Sequence, residues 1–415
     1  MIAPLLFLFV SCLGAALTAF AVLPSRRPGA ISTAFFVGGL FFGELAAVQI
    51  GWQAAATIGF GLAGAFRAWP GWLGLAISLA SWAALVRSMR AWREAAPICE
   101  RALTESLGSG YRAAIAPAWA SRCEDEVVRP WSLPYRRSHP DIERIADLRY
   151  GPEPRNLLDV YRPRRGAANA PVLLFVHGGA WTMGDKFGQG LPLILYLAQR
   201  GFVCASPNYR LSPQSPFPHH LIDLKRAIAW IRAHGPEYGA DPGWIAVTGG
   251  SAGGHLSALL GLTANDPEYQ PGFEDVDTSV AAAVPFYGCY DLLDRKGHRP
   301  DRMQIEFLAE KVLQVSPEAD RNSWEKASPI SRVNAGAPPF FVVHGARDSL
   351  LFHPDADSFV EALRTVSRQP VAYALVPGAE HAFDVFRTPR TAAAVGAAAR
   401  FLFWVHSTGA KASSA

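Results

Sequence analysis

The sequence predicts an α/β fold, a mainly parallel sheet covered by helices on both faces, behind an all-α apolar segment. Apolar runs of five to nine residues recur between about residues 156 and 376, separated by helix-like stretches. Continuous apolar strands alternating with helices imply a sheet buried on both sides. The first 93 residues are different in kind. They hold one carboxylate, Glu44, and six arginines, so they carry +5, and the rest of the +4 chain sums to −1.

A chain of 415 residues can hold two domains or more. The composition divides it into a transmembrane helical region (1–93), a linker or cap (94–145), an α/β catalytic domain (146–408) and a low-complexity tail (409–415). The excess positive charge sits beside apolar runs and forms no basic stripe, which excludes a nucleic-acid partner. Five scattered cysteines without metal-ligand spacing argue against a disulfide framework and favour a reducing compartment.

Residues 2–23 are uncharged over 22 positions, and a helix of that length rises about 33 Å, enough to cross a bilayer. Ala19-Phe20-Ala21 mimics a secretory cleavage site, but no Lys or Arg precedes the run and further apolar runs follow. A second stretch, 31–66, is interrupted by Glu44, Gln49 and Gln53, and 71–86 forms a third. With three spans, Arg26/Arg27 and Arg87/Arg90/Arg93 share a side. The positive-inside rule then puts the catalytic domain on the cytoplasmic face of a bacterial plasma membrane. With four spans the rule is silent. Glu44 reads as a neutral carboxyl packed between helices near an interface, or else as a functional group at membrane depth.

Seven strands are expected: Asn156–Tyr161, Pro171–His177, Phe202–Tyr209, Trp244–Thr248, Val280–Tyr287, Pro339–His344 and Val371–Val376. Helices are expected near 190–200, 220–234, 252–264, 356–368 and 391–406. The stretch 289–333 reads either as a lid, with Phe307 and Leu308 in an acyl pocket, or as surface packing.

The chemistry concentrates at strand ends. Gly249-Gly250-Ser251-Ala252-Gly253 stands where a strand runs into a helix. In such a G-x-S-x-G turn a strained backbone lifts the serine hydroxyl clear of the sheet, and side chains two residues either side would collide with neighbouring elements. The helix N-terminus adds N–H groups and a favourable dipole for a developing anion. His177-Gly178-Gly179-Ala180-Trp181 follows an earlier strand, so Gly178, Gly179 and Ala252 are the candidate oxyanion donors, with His177 structural. Asp348 ends a strand 97 residues after Ser251, and His381 follows the next strand another 33 residues along. Ser, Asp, His in that order is the chain order of an α/β-hydrolase. His381 would take the serine proton, and Asp348 would fix the imidazole tautomer.

With these residues in view, the chain resembles the hormone-sensitive-lipase-like and acetyl-esterase branch of the α/β-hydrolases, over roughly residues 145–407. The resemblance rests on NLLDVYRP (156–163), HGGAWTMGDK (177–186), PNYRLSP (207–213), GGSAGGHLSA (249–258), HGARDSL (344–350) and AEHAF (379–383). It implies a triad of Ser251, Asp348 and His381, oxyanion donors Gly178, Gly179 and Ala252, and no metal or organic cofactor. The implied activity is hydrolysis of a small-molecule or lipid carboxylic ester. Ala180 in place of a third glycine, and Gly250 before the serine, depart from the common pattern, so acyl preference does not carry over. An acyltransferase, lipid deacylase or amidase with the same triad stays open, as does a non-catalytic membrane scaffold. His219, His220 and His255 read as surface or supporting groups, Tyr209-Arg210 as a brace for the oxyanion loop, Asp223 as the partner of Arg210, and Asp185-Lys186 as a solvated turn.

Overall fold

A computed structural model describes residues 2–23, 30–124 and 126–409; Arg26, Arg27 and the tail from residue 410 lie outside them. Eight strands form one sheet: β1 (Ile142–Arg149), β2 (Leu157–Pro163), β3 (Ala170–Val176), β4 (Val203–Pro207), β5 (Ala240–Gly250), β6 (Ala282–Phe286), β7 (Phe340–Gly345) and β8 (Val371–Val376). Their spatial order is β1-β2-β4-β3-β5-β6-β7-β8. The β1–β2 and β2–β4 pairs are antiparallel, and every later pair is parallel. The seven expected strands are present. β1 was not foreseen, because Ile142, Ile145 and Leu148 break period-2 alternation where the register shifts between Ile145 and Leu148.

The α-helices among the described residues are labelled in chain order: α1 (Ile2–Val22), α2 (Ala30–Gly38), α3 (Ala46–Leu62), α4 (Trp69–Arg90), α5 (Trp92–Leu107), α6 (Pro117–Ala120), α7 (Leu191–Gln199), α8 (His219–His234), α9 (Ala252–Leu262), α10 (Met303–Phe307), α11 (Arg321–Ala327), α12 (His353–Val366) and α13 (Pro389–Thr408). Successive side chains of a strand point to opposite faces, and the core divides accordingly. Val172, Leu174 and Val176 of β3 pack with α8, α9 and α12, whereas Leu173 and Phe175 pack with α5, α7 and α13. Much of the stretch 94–124 packs against the second core. α5 buries Ala95, Cys99, Ala102 and Leu103 in the second core, and Trp119 stacks on Phe403 at 5.0 Å.

Among the described residues, two helical stretches have the length and composition to cross a membrane, Ile2–Val22 and Trp69–Leu107. The expected middle span is instead a bent pair, with 31–43 and 46–62 meeting at 76°. The bend falls at Glu44. This side chain does not pack among apolar helices alone: it pairs with Arg390 of α13 and accepts from Thr388 Oγ1 at 3.5 Å. Of the Asp185-Lys186 turn, Asp185 is exposed as expected but Lys186 is not solvated. Lys186 is buried, with its Nζ 2.6 Å from Asp159 and 2.8 Å from Asp147.

Phe359 is fully buried and stacks on Tyr290 at 4.3 Å. Its truncation to alanine should cost about 3–5 kcal/mol. Thermal unfolding should therefore shift down by about 10 °C; an unchanged midpoint would contradict the packing.

Candidate active site

Four loops at the carboxyl ends of β3, β5, β7 and β8 build the site, the edge where open parallel sheets bind ligands. Ser251 sits between β5 and α9 with φ +60° and ψ −122°. Space explains the glycines around it. A Cβ on Gly249 would lie 2.4 Å from the Val176 carbonyl oxygen, and one on Gly253 only 2.0 Å from the same atom. Helix α9 thus runs so close to β3 that side chains are excluded, and the turn carries Ser251 in a conformation that non-glycine residues rarely adopt.

Asp348 follows β7. Its Oδ1 accepts the backbone N–H groups of Leu350 (2.9 Å) and Leu351 (2.7 Å), while Oδ2 meets His381 Nδ1 at 2.7 Å and His344 Nε2 at 3.3 Å. Burial alone would raise the Asp348 carboxyl. The adjacent His381, with hydrogen bonds from His344 and His381, outweighs burial and holds it well below the usual carboxylate range. Asp348 is therefore an anion at any working pH, and its contact with Nδ1 leaves Nε2 of His381 for the cleft. Ser251 and His381 line the same cavity, of about 380 Å³, together with Ala180, Trp181 and Ala252. No hydrogen bond joins Ser251 to His381 among the described residues. In free enzymes such contacts are often long and tighten only on substrate.

The loop after β3 brings Gly178 beside Ser251; a Cβ on Gly178 would lie 3.2 Å from that of the serine. Gly179 takes φ +124°, where a Cβ would collide with the Met183 carbonyl at 2.2 Å. The Gly178 N–H already donates to Gln189 Oε1 at 2.7 Å, so its use by an oxyanion requires Gln189 to give way. Among the expected donors, Gly179 and Ala252 carry no such prior bond.

Supporting residues explain themselves by contact. His177 stacks on Tyr209 at 4.2 Å, and Tyr209 donates its hydroxyl to the His177 carbonyl at 2.9 Å. Burial pushes the His177 imidazole down to about 4, so it is neutral scaffolding. Arg210 forks onto Asp223, with Nη2 2.8 Å from Oδ1. Trp181 Nε1 donates to His255 Nδ1 at 3.2 Å, and burial lowers His255 to about 4 as well. His220 bonds Ser212 at 3.1 Å.

Sequence reasoning missed several neighbours of His381, among them the Tyr287 ring at 4.8 Å. His344 bridges Asp348 and the Leu351 carbonyl, at 2.7 Å from the latter. Phe36 of α2 meets the His381 ring edge-on at 5.6 Å. Glu380 Oε1 accepts from Ser349 N (2.7 Å), Ser349 Oγ (3.0 Å) and His381 N (2.8 Å). Of these, only Glu380 had a local signal, as an acidic residue in AEHAF beside the histidine.

Burial, reinforced by the negative charge of Asp348, pushes the Glu380 carboxyl up to about 8. Between its unfolded value near 4.5 and that pH, the folded state holds a proton that the unfolded chain has lost. Stability should therefore fall as pH rises from about 5 to 8. Glu380→Gln should flatten that slope in melts of the full chain across the window. An equally steep decline in the variant would assign it to other groups.

Known proteins similar to this chain include esterases. The BD-FAE family model matches residues 158–363. Esterase LipC of Mycobacterium tuberculosis is 47% identical over 319 residues, covering 74% of this chain and 77% of that protein. Esterase LipQ of the same organism is 40% identical over 334 residues, covering 78% and 76%. For the fold alone, a truncated carbohydrate esterase from gut microbiota superposes with a TM-score of 0.53 at 22% identity, covering 60% of this chain and 92% of that one. The chain belongs to the hormone-sensitive-lipase-type carboxylesterases of the α/β-hydrolase superfamily, and it is a carboxylic ester hydrolase.

Proposed function

We propose that the protein is a membrane-anchored serine carboxylesterase that works through an acyl-enzyme on Ser251. One observation carries the reading: a serine on a strained strand-to-helix turn shares a cavity with a histidine whose Nδ1 is held 2.7 Å from a buried carboxylate.

In this mechanism His381 Nε2 removes the Ser251 proton as Oγ attacks the ester carbonyl carbon. The carbonyl π pair moves to oxygen, and the amides of Gly179 and Ala252 hold the anion, joined by Gly178 once Gln189 releases it. Collapse reforms the C=O bond and breaks the bond to the alkoxy group, which leaves as the alcohol with the proton from His381. Water, deprotonated by His381, then attacks the acyl-enzyme. The acid departs, and the proton returns to Ser251. Asp348 stabilises the imidazolium throughout. Phe307 and Leu308, which line the cavity, support a lid role for part of the 289–333 stretch.

Anchoring is supported by Ile2–Val22 and Trp69–Leu107, and by the bent pair if it counts as one span. The arginine distribution favours a cytoplasmic catalytic domain.

Ser251→Ala should lower kcat on p-nitrophenyl esters by about 10⁴-fold or more, and Asp348→Asn by about 10⁴-fold. A fluorophosphonate probe should label the native chain and not the Ser251→Ala chain; full activity in that variant refutes the mechanism. Alkaline carbonate washing should leave the full chain in the membrane pellet, and its release would refute the anchor.

A further inference from the structure

The cavity holding Ser251 and His381 is not built by the α/β domain alone. Ser32 and Thr33 of α2 line it, together with Met303 and Phe307. One turn further along, Phe36 packs edge-on against the His381 ring at 5.6 Å and 76°. Residues three and four apart lie on one helical face, so one face of α2 presents both the cavity wall and the contact with the candidate base.

Several contacts fix the helix there. The π-helical turn 39–43 presses on the loop carrying His381, and a Cβ on Gly39 would stand 3.0 Å from Glu380 Oε2. Phe41 meets Phe386 at 5.5 Å. Arg347 Nη1 donates to the Ala21 carbonyl at 2.5 Å, and Glu44 pairs with Arg390, both side chains 1% exposed. These partners come from the loops after β7 and β8 and from the start of α13, so the apolar segment and the catalytic loops pack as one body.

The outer surface of that segment has another character. Phe9, Ile58 and Leu62 are 67%, 64% and 87% exposed, and on α2 itself Ile31 and Val37 are exposed. Exposed apolar side chains at this density suit lipid rather than water. One side of the reaction cavity is therefore a helix whose other side faces apolar surroundings. The cavity's 380 Å³ lies near the lower end of ligand sites, about 300–1,000 Å³. A long acyl chain must accordingly extend out of it.

We propose that α2 is the acyl-selecting wall of this site. The substrate class is a long-chain lipid ester whose apolar chain enters between α2 and residues 299–308, with Ser32, Thr33 and Phe36 setting chain-length preference. This inference rests on the esterase reading of Ser251.

The test uses the full chain in nanodiscs with p-nitrophenyl acetate and dodecanoate as substrates. Wild-type protein should favour dodecanoate in kcat/KM. Thr33→Trp, which fills the wall, should lower the dodecanoate-to-acetate ratio at least tenfold. Labelling of Ser251 by a small fluorophosphonate shows that the site is assembled; should Thr33→Trp fail to label, Thr33→Leu is read in its place, with at least a threefold fall expected. A ratio within twofold of wild type in a labelled variant overturns the proposal, and so does a wild-type enzyme that prefers acetate. In both cases Ser251→Ala would still abolish turnover, leaving the esterase reading intact. Loss of wild-type labelling and turnover would strike that reading instead.

Discussion

The contact on which the site depends is the approach of α9 to β3 at the Val176 carbonyl. Two glycines, Gly249 and Gly253, flank Ser251 and face that oxygen, and neither has room for a methyl group. With the helix held that close, the turn between them must be sharp, and Ser251 takes φ +60°. The conformation is costly in isolation, of order 1–3 kcal/mol. It persists because β5 is bonded on both edges, to β3 and to β6, and because α9 is buried along its length. Scaffold rigidity thereby fixes the place of Ser251, at the sheet edge, at a helix N-terminus, beside the Gly178 loop.

Around that point the structure separates two buried carboxylates by their partners. Asp348 collects two backbone N–H groups and two imidazoles, and stays ionised despite burial. Glu380 accepts backbone and hydroxyl donors from Ser349 and His381, and is pushed the opposite way by burial and by Asp348 itself. Environments that drive two acids apart in this way are characteristic of active sites. Here the outcome is one anion behind His381 and one mostly protonated carboxyl whose Oε1 accepts from the backbone N–H groups of Ser349 and His381.

The apolar N-terminal segment is joined to this machinery by polar contacts as well as apolar ones. The Glu44–Arg390 pair is almost wholly buried. Burying two charges gains little net stability, but removing one partner leaves the other uncompensated and is strongly destabilising. In this chain the pair joins the bend between α2 and α3 to the start of α13, and Phe36 meets His381 on the same side of the segment.

The sequence by itself determined the α/β fold, its seven main strands and the residues that the geometry gathers at one edge, because each is encoded locally. A strand–glycine–serine–glycine–helix run states its own conformation, and apolar runs state their own burial. It also carried the likeness to esterases in short contiguous motifs. What only the tertiary structure decided are relations between distant positions: Gln189 on the Gly178 amide, His344 behind Asp348, Lys186 drawn inward by Asp159, and Glu44 paired across 346 residues with Arg390. Nothing local distinguishes a lysine that will be solvated from one that will meet a buried aspartate. The same reason hid the place of α2, whose composition spoke only of an apolar helix while packing set it against His381.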